Sequence, residues 1–152
     1  MTIAPQIESL FDRLSSHWSK MDFEAIRDEW NTDAPPLYLA EEAPGFATSW
    51  SDLEAYWQTT RETISSISVT YELLSEKEVT QEVKLVAFNL VWLARMTNDE
   101  SVGGTNRGLA CLQLIEGTYK FAGYVEAPLA PIFYVKELYK EFAARRMTKN
   151  NS

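Results

Sequence analysis

Ile7, Leu10, Phe11, Leu14, Trp18 and Met21 recur at intervals of three and four residues. That is the period of a helix with one apolar stripe. Pro5 suits its first turn, where a missing N–H costs nothing. Asp22 is placed to cap a second, shorter helix with Phe23, Ile26 and Trp30 on its apolar side. Pro35 and Pro36 stop it, since neither continues the ladder of backbone hydrogen bonds. A short strand is predicted over residues 37–40, then a turn at Ala43-Pro44-Gly45. Ser51 and Glu54 have the spacing of a capping box and predict the start of a third helix, with Leu53, Tyr56, Trp57 and Ile64 as its apolar face.

From residue 66 the period falls to two. Ile67, Val69, Tyr71 and Leu73 alternate with Ser68, Thr70 and Glu72, as in a strand with one wet face. Residues 83–96 read differently: Val83, Leu85 and Val91 fall on one face, Val86, Phe88, Leu90 and Trp92 on the other. A strand apolar on both faces must be covered on both. Residues 98–104 predict a hairpin turn with a glycine pair at its end. A strand follows over 106–115, Glu116-Gly117 turns the chain, and a last strand covers 118–126. Pro128 and Pro131 end the sheet. Ile132, Val135, Leu138 and Phe142 mark a fourth amphipathic helix, with Lys136, Glu137, Lys140 and Glu141 outside. Helices first and consecutive strands afterwards make an α+β order rather than an alternating one, with antiparallel meander connections.

The length of 152 residues fits one domain, with a core over about residues 5–127 and the added helix over about 131–146. Net charge is −8, from 14 basic and 22 acidic residues. Such a field repels a phosphate backbone, so nucleic acid is not an expected partner. Arg145, Arg146 and Lys149 form the only basic cluster and read as solubilising charge on a tail. Cys111 stands alone, so there is no internal disulfide framework. The most apolar stretch, 85–94, is too short to span a bilayer and is interrupted by Asn89. No membrane association is expected. The N-terminus lacks a basic region followed by an apolar run, which makes a cytoplasmic location the expectation.

The stretch His17-Trp18-Ser19-Lys20-Met21-Asp22-Phe23-Glu24-Ala25-Ile26 resembles the junction of the first two helices in SnoaL-like members of the nuclear-transport-factor-2-like superfamily. Asp33-Ala34 fills the place of the "D-A" that precedes the first strand in that superfamily. Glu116-Gly117-Thr118-Tyr119-Lys120-Phe121 is similar to its closing hairpin. The resemblance implies a cystatin-like cone: a curved antiparallel sheet wrapped around the N-terminal helices, with a pocket at the open mouth. Dimerisation through the outer sheet face is implied as well. One function is not implied, because isomerases, cyclases, dehydratases, transport adaptors and dimerisation modules share the cone. The ketosteroid isomerases of the superfamily use a tyrosine on the first helix and an aspartate on the first strand. Those places fall at Leu14 and Tyr38 here, and neither side chain can do the original work at neutral pH.

His17 is the only histidine. It follows Leu14 by three residues and is a candidate general base or ligand contact at the mouth; the alternative is a histidine at the stripe's edge, bonded to water or a backbone carbonyl. Trp18, Trp57 and Trp92 come from three elements and either wall a cavity for a flat apolar ligand or pack in the core. Tyr38 is either a donor to a ligand carbonyl, with His17 the second catalytic candidate, or a buried tyrosine satisfied by backbone. Asn89, Arg107 and Glu126 are polar residues within strands. Arg107 and Glu126 read first as a cross-strand ion pair; an inward Arg107 would favour a carboxylate ligand.

Several chemistries lack parts. One histidine and one cysteine do not make a nitrogen- and sulfur-ligated zinc site. There is no nucleophile elbow and no glycine-rich phosphate loop after a strand, and mid-strand Cys111 reads as a small hydrophobe. No cofactor or metal is implied. Two readings remain: a non-catalytic module that binds a small hydrophobic ligand or dimerises, and a cofactor-independent isomerase, cyclase or dehydratase working by acid/base chemistry. The two-sided strand and the extra helix predict a homodimer.

Overall fold

The computed structural model describes residues 2–129 and 132–150. Helix α1 (Pro5–Lys20) carries proline in its first turn and buries Ile7, Leu10, Phe11, Leu14 and Trp18. It stops at Met21, which adopts φ 50°, and the N–H of Asp22 returns to the carbonyl of His17. Asp22 then accepts from the N–H of Ala25 at 3.0 Å and caps α2 (Phe23–Asp28). Trp30 follows the helix rather than ending it, and is buried beside Phe121 in an isolated parallel bridge.

Strand β1 (Leu37–Leu39) is three residues long. Helix α3 (Trp50–Thr63) has its N-cap two residues before the expected Ser51. Ser49 is its cap, accepting from the N–H of Asp52 at 3.1 Å, while Asp52 accepts from the N–H of Thr48. Asp52 takes the place in the reciprocal cap that Glu54 was expected to hold. Ile64, expected in this helix, instead opens β2 (Ile64–Glu78). It is followed by β3 (Val83–Met96), β4 (Ser101–Ile115) and β5 (Thr118–Pro128).

The sheet has the order β1-β5-β4-β3-β2. The four long strands form an antiparallel meander, and β1 adds to β5 in parallel, a connection that the antiparallel expectation did not contain. The turn between β3 and β4 is tighter than expected. Asp99 takes φ 69° there, so Gly103 and Gly104 lie inside β4 and not in the turn. Register offsets at Leu73/Ser75 in β2 and at Cys111/Leu112 between β4 and β5 mark bulges. Bulges strengthen local twist and curve a sheet around what it covers.

The concave face receives α1. Phe11 sits among Tyr71, Phe88 and Phe121, with ring centroids 5.2, 5.4 and 5.4 Å away. Phe88, Leu90 and Val86 share one face, as their parity predicts, and the structure turns it inward, with Phe88 over Gly108. A Cβ at residue 108 would fall 2.1 Å from the Phe88 ring, so the missing side chain is what admits the phenylalanine.

Helix α4 (Ile132–Asn150) lies where the fourth helix was expected. Apart from half-buried Val135, its described side chains are exposed, Leu138 and Phe142 among them. Pro131 and the side chain of Ile132 lie outside the described residues. No described helix is long and apolar enough to cross a membrane.

Candidate functional site

A cavity of about 930 Å³ opens between α3, the loop over residues 41–47 and the ends of the long strands. Each element reaches it through its own period. Tyr56, Thr59, Thr60 and Thr63 share one face of α3; Ile67, Val69 and Tyr71 are alternate residues of β2; Leu90 and Trp92 are alternate residues of β3. Asn106 lies directly across from Leu90, and Glu126 across from Gly108. The lining is mainly aromatic and aliphatic. Its polar groups come from Glu41 and Glu42 of the loop, from α3, from Glu100, and from a patch made by Asn106 of β4 and Glu126 of β5.

Glu126 is the focus of that polar patch. Tyr124, two residues earlier on the same face, donates its hydroxyl proton to Oε1 at 2.5 Å, and Asn106 Nδ2 donates to Oε2 at 3.0 Å. The hydroxyls of Tyr71 and Tyr124 lie 3.0 Å apart. With Tyr124 committed to the carboxylate, Tyr71 is the donor of that pair. Burial dominates the electrostatics, and Glu42 and Glu41 add like charge. The Glu126 carboxyl is pushed up to about 7, against the pull of its two hydrogen bonds. Glu41 is raised by burial first and by Glu42 next. Tyr71, Tyr124, Tyr38 and Tyr56 are all raised, burial again being the main cause, and keep their protons at neutral pH. Glu42 accepts from the Tyr56 hydroxyl at 2.6 Å.

Two polar atoms beside the cavity have no hydrogen-bond partner: Asn106 Oδ1 and Trp92 Nε1. Trp92 lies over Gly104, where a Cβ would come 3.4 Å from the indole nitrogen. That is ordinary contact, so of these two positions in β4 it is Gly108, under Phe88, that a ring requires to be glycine.

Of the residues singled out in the sequence, Trp18, Tyr38, Trp92 and Glu126 come together in the cavity lining. Tyr38 also stacks on Tyr124, with ring planes 7° apart and centroids 5.4 Å apart. The others lie elsewhere. Leu14 is in the core, and Trp57 stacks on Phe23 there. His17 is outside the cavity, with Nε2 3.2 Å from Glu29 Oε1. Arg13, one helical turn earlier, grips the same carboxylate through Nε at 2.7 Å and Nη2 at 3.0 Å. Burial alone would raise Glu29, but the bonds from Arg13 and His17 outweigh it and hold the carboxyl below its ordinary value. His17 therefore joins Arg13 at the Glu29 carboxylate on the flank of α1. Asn89 gives its amide to Glu72 rather than to the cavity.

The expected Arg107–Glu126 pair does not form. Arg107 lies opposite Ala127, so its side chain has the parity of the outer face, where it donates to the Pro128 carbonyl at 3.2 Å. Glu126 has the inner parity and takes Asn106 and Tyr124 instead. Asn106, Tyr71, Tyr124, Tyr56, Glu41 and Glu42 were not singled out from the sequence. The spacing Tyr124-x-Glu126 carried a signal, since alternate strand residues share a face. Cys111, half-buried on the outer face, has its thiol pushed up by burial. Among the described residues, no group of three or more His, Cys, Asp or Glu is placed to hold a metal ion.

No protein-family model matches the chain, and no curated protein matches it at a significant level. Solved structures do match. A nuclear-transport-factor-2-like superfamily protein from Salmonella enterica serovar Typhimurium superposes with a TM-score of 0.71 at 16% identity, covering 83% of this chain and 90% of that one. A ketosteroid isomerase-like protein from Erwinia carotovora atroseptica gives 0.68 at 14% identity, covering 82% and 95%. A type 2 hexachlorocyclohexane dehydrochlorinase gives 0.70 at 12% identity, covering 82% and 84%. The chain has the nuclear-transport-factor-2-like cone fold, with a helix added at its C-terminal end. Its structural neighbours include both enzymes and proteins named only by the fold.

Proposed function

We propose that the chain works through the cone cavity, as a binding module for a small and mainly apolar molecule. The observation that carries this reading is that the cavity is not filled by the protein's own side chains, although Trp18, Tyr56, Tyr71 and Trp92 stand around it. An aromatic and aliphatic wall with a few converging polar groups is the usual make-up of a ligand pocket. Calorimetric titration with neutral 1-naphthylmethanol tests it. Saturable one-to-one binding is expected, and Ile67→Trp, which places an indole in the space, should weaken it by about tenfold or more, the factor that 1.4 kcal/mol represents. Binding of equal strength in that variant would put the ligand elsewhere and sink the reading.

A second reading, a cofactor-independent acid/base enzyme, is favoured by Glu126. A carboxyl that titrates near 7 exchanges protons readily at neutral pH and suits a general acid or base.

The proposal includes a homodimer through the outer sheet face. Val91, Leu93 and Leu109 are 49%, 62% and 46% exposed there, on neighbouring strands. Sedimentation at tens of micromolar protein should give the mass of two chains, and Leu93→Asp should shift it toward one. A wild-type monomer at that concentration would refute the dimer.

A further inference from the structure

The charge around the cavity has one sign. Glu41, Glu42, Asp52, Glu100 and Glu126 line it, and among the described lining residues there is no lysine, arginine or histidine. Arg107, the base that would have favoured a carboxylate ligand, points away from it. Carboxylates at a cavity rim are common and well solvated, so the acids alone select nothing.

Asn106 supplies the independent observation. It is 1% exposed, lines the cavity, spends its amide N–H on Glu126, and leaves Oδ1 without a partner. Buried acceptors are nearly always paired. Only a donor can satisfy this one, and no described side chain supplies it. Because Asn106 Nδ2 is 3.0 Å from Glu126 Oε2, the free Oδ1 and the carboxylate stand within reach of one small group. Glu41 adjoins both Asn106 and Trp92 and brings a further acceptor to the same place. An ammonium carries three donors and no acceptor. The walls agree with it: Trp92, Tyr56 and Tyr71 line the cavity, and aromatic rings attract cations.

We propose that the cavity takes an organic cation, a molecule with an apolar body of aromatic size and a protonated amine directed at Asn106 Oδ1, Glu126 and Glu41. This rests on the pocket reading above and adds the class of ligand. Carboxylate and phosphate ligands are disfavoured by the same lining, whose fixed charges repel them.

The test compares three probes of one shape by calorimetry near neutral pH: 1-naphthylmethylamine, 1-naphthylmethanol and 1-naphthoate. The amine is expected to bind about tenfold or more tightly than the alcohol, because charge-assisted hydrogen bonds are roughly twice as strong as neutral ones, and the naphthoate weakest of all. Glu126→Gln and, separately, Glu41→Gln should each reduce the ratio of amine to alcohol affinity. Glu41 is half-buried in a loop outside the core, so its variant decides the matter even if Glu126→Gln fails to fold. Equal binding of amine and alcohol, tightest binding of the naphthoate, or an amine advantage intact in both variants overturns the cation inference and leaves the pocket standing. Failure of all three probes to bind removes the pocket reading and this inference together.

Discussion

Phe11→Ala is expected to cost about 3–5 kcal/mol of folding stability, the range for removing a fully buried phenylalanine. Phe11 is 2% exposed, and its ring packs against Tyr71 of β2, Phe88 of β3 and Phe121 of β5. It ties α1 to three strands of the sheet at once. Its neighbours are rings held by the sheet's register, so they cannot close over the space a truncated side chain leaves. Incomplete collapse puts the cost at the upper end of the range. A single domain is stable by about 5–15 kcal/mol in all, so this one change removes a large share of it. Urea unfolding followed by tryptophan fluorescence measures the loss as a lower midpoint at unchanged slope. A loss below about 1 kcal/mol would mean that α1 is not anchored through this ring, since ordinary surface substitutions stay within about 0.5 kcal/mol.

The elements of the cone were legible from period because they fall into two unlike spacings, whereas the cone itself was implied by the family resemblance. The stripe ending at Trp18 and Met21 could only be a helix, and the alternation from Ile67 to Leu73 could only be a strand. Val86, Phe88, Leu90 and Trp92 were grouped on the face that the structure turns inward. Element ends were harder. Ser49 with Asp52 and Ser51 with Glu54 both have the spacing of a cap, and the backbone chose the earlier pair. The parallel pairing of β1 with β5 joins residues more than eighty positions apart, and no local pattern records it.

The site was legible only in part, for a reason visible in β4. Its two faces read Asn106, Gly108, Ala110, Leu112 and Arg107, Leu109, Cys111, Gln113, and both mix apolar with polar residues. Nothing in that alternation says which face is inside, so Arg107 drew attention and Asn106 did not. The register against β3 decides it, because Gly108 must sit under Phe88. His17 left two readings open for another reason. A lone histidine beside an apolar stripe looks poised for chemistry, yet its partner Glu29 follows α2, a contact that depends on how two helices pack.

Glu126→Gln is expected to stabilise the protein in alkali and to change it little in acid. The folded-state carboxyl is raised from 4.5 to about 7, chiefly by burial. Below 4.5 both folded and unfolded chains carry the proton, and the stability tied to it is fully present. Between 4.5 and about 7 the unfolded chain releases its proton while the folded chain keeps it, so stability falls as pH rises. Above that window the cost levels off at about 3 kcal/mol, from 1.36 kcal/mol for each unit of displacement. Glutamine has the same shape, still accepts from Tyr124, and carries no charge to bury. Glu41 is raised in the same direction, but it is present in both proteins and cancels in their difference. Urea unfolding of both at pH 5 and pH 8.5 should therefore give a small gap in acid that widens in favour of the variant by roughly 1–3 kcal/mol in alkali, the lower bound allowing for weaker hydrogen bonds. A gap that does not move with pH would mean that Glu126 ionises as freely as an exposed carboxylate. A glutamate kept where glutamine would be more stable marks a position at which stability has been given up for a charge, as happens at functional sites. Under the acid/base reading the gain in the variant comes with loss of proton transfer. Under the cation reading it comes with loss of the amine's advantage, because a bound ammonium is what holds Glu126 ionised at neutral pH.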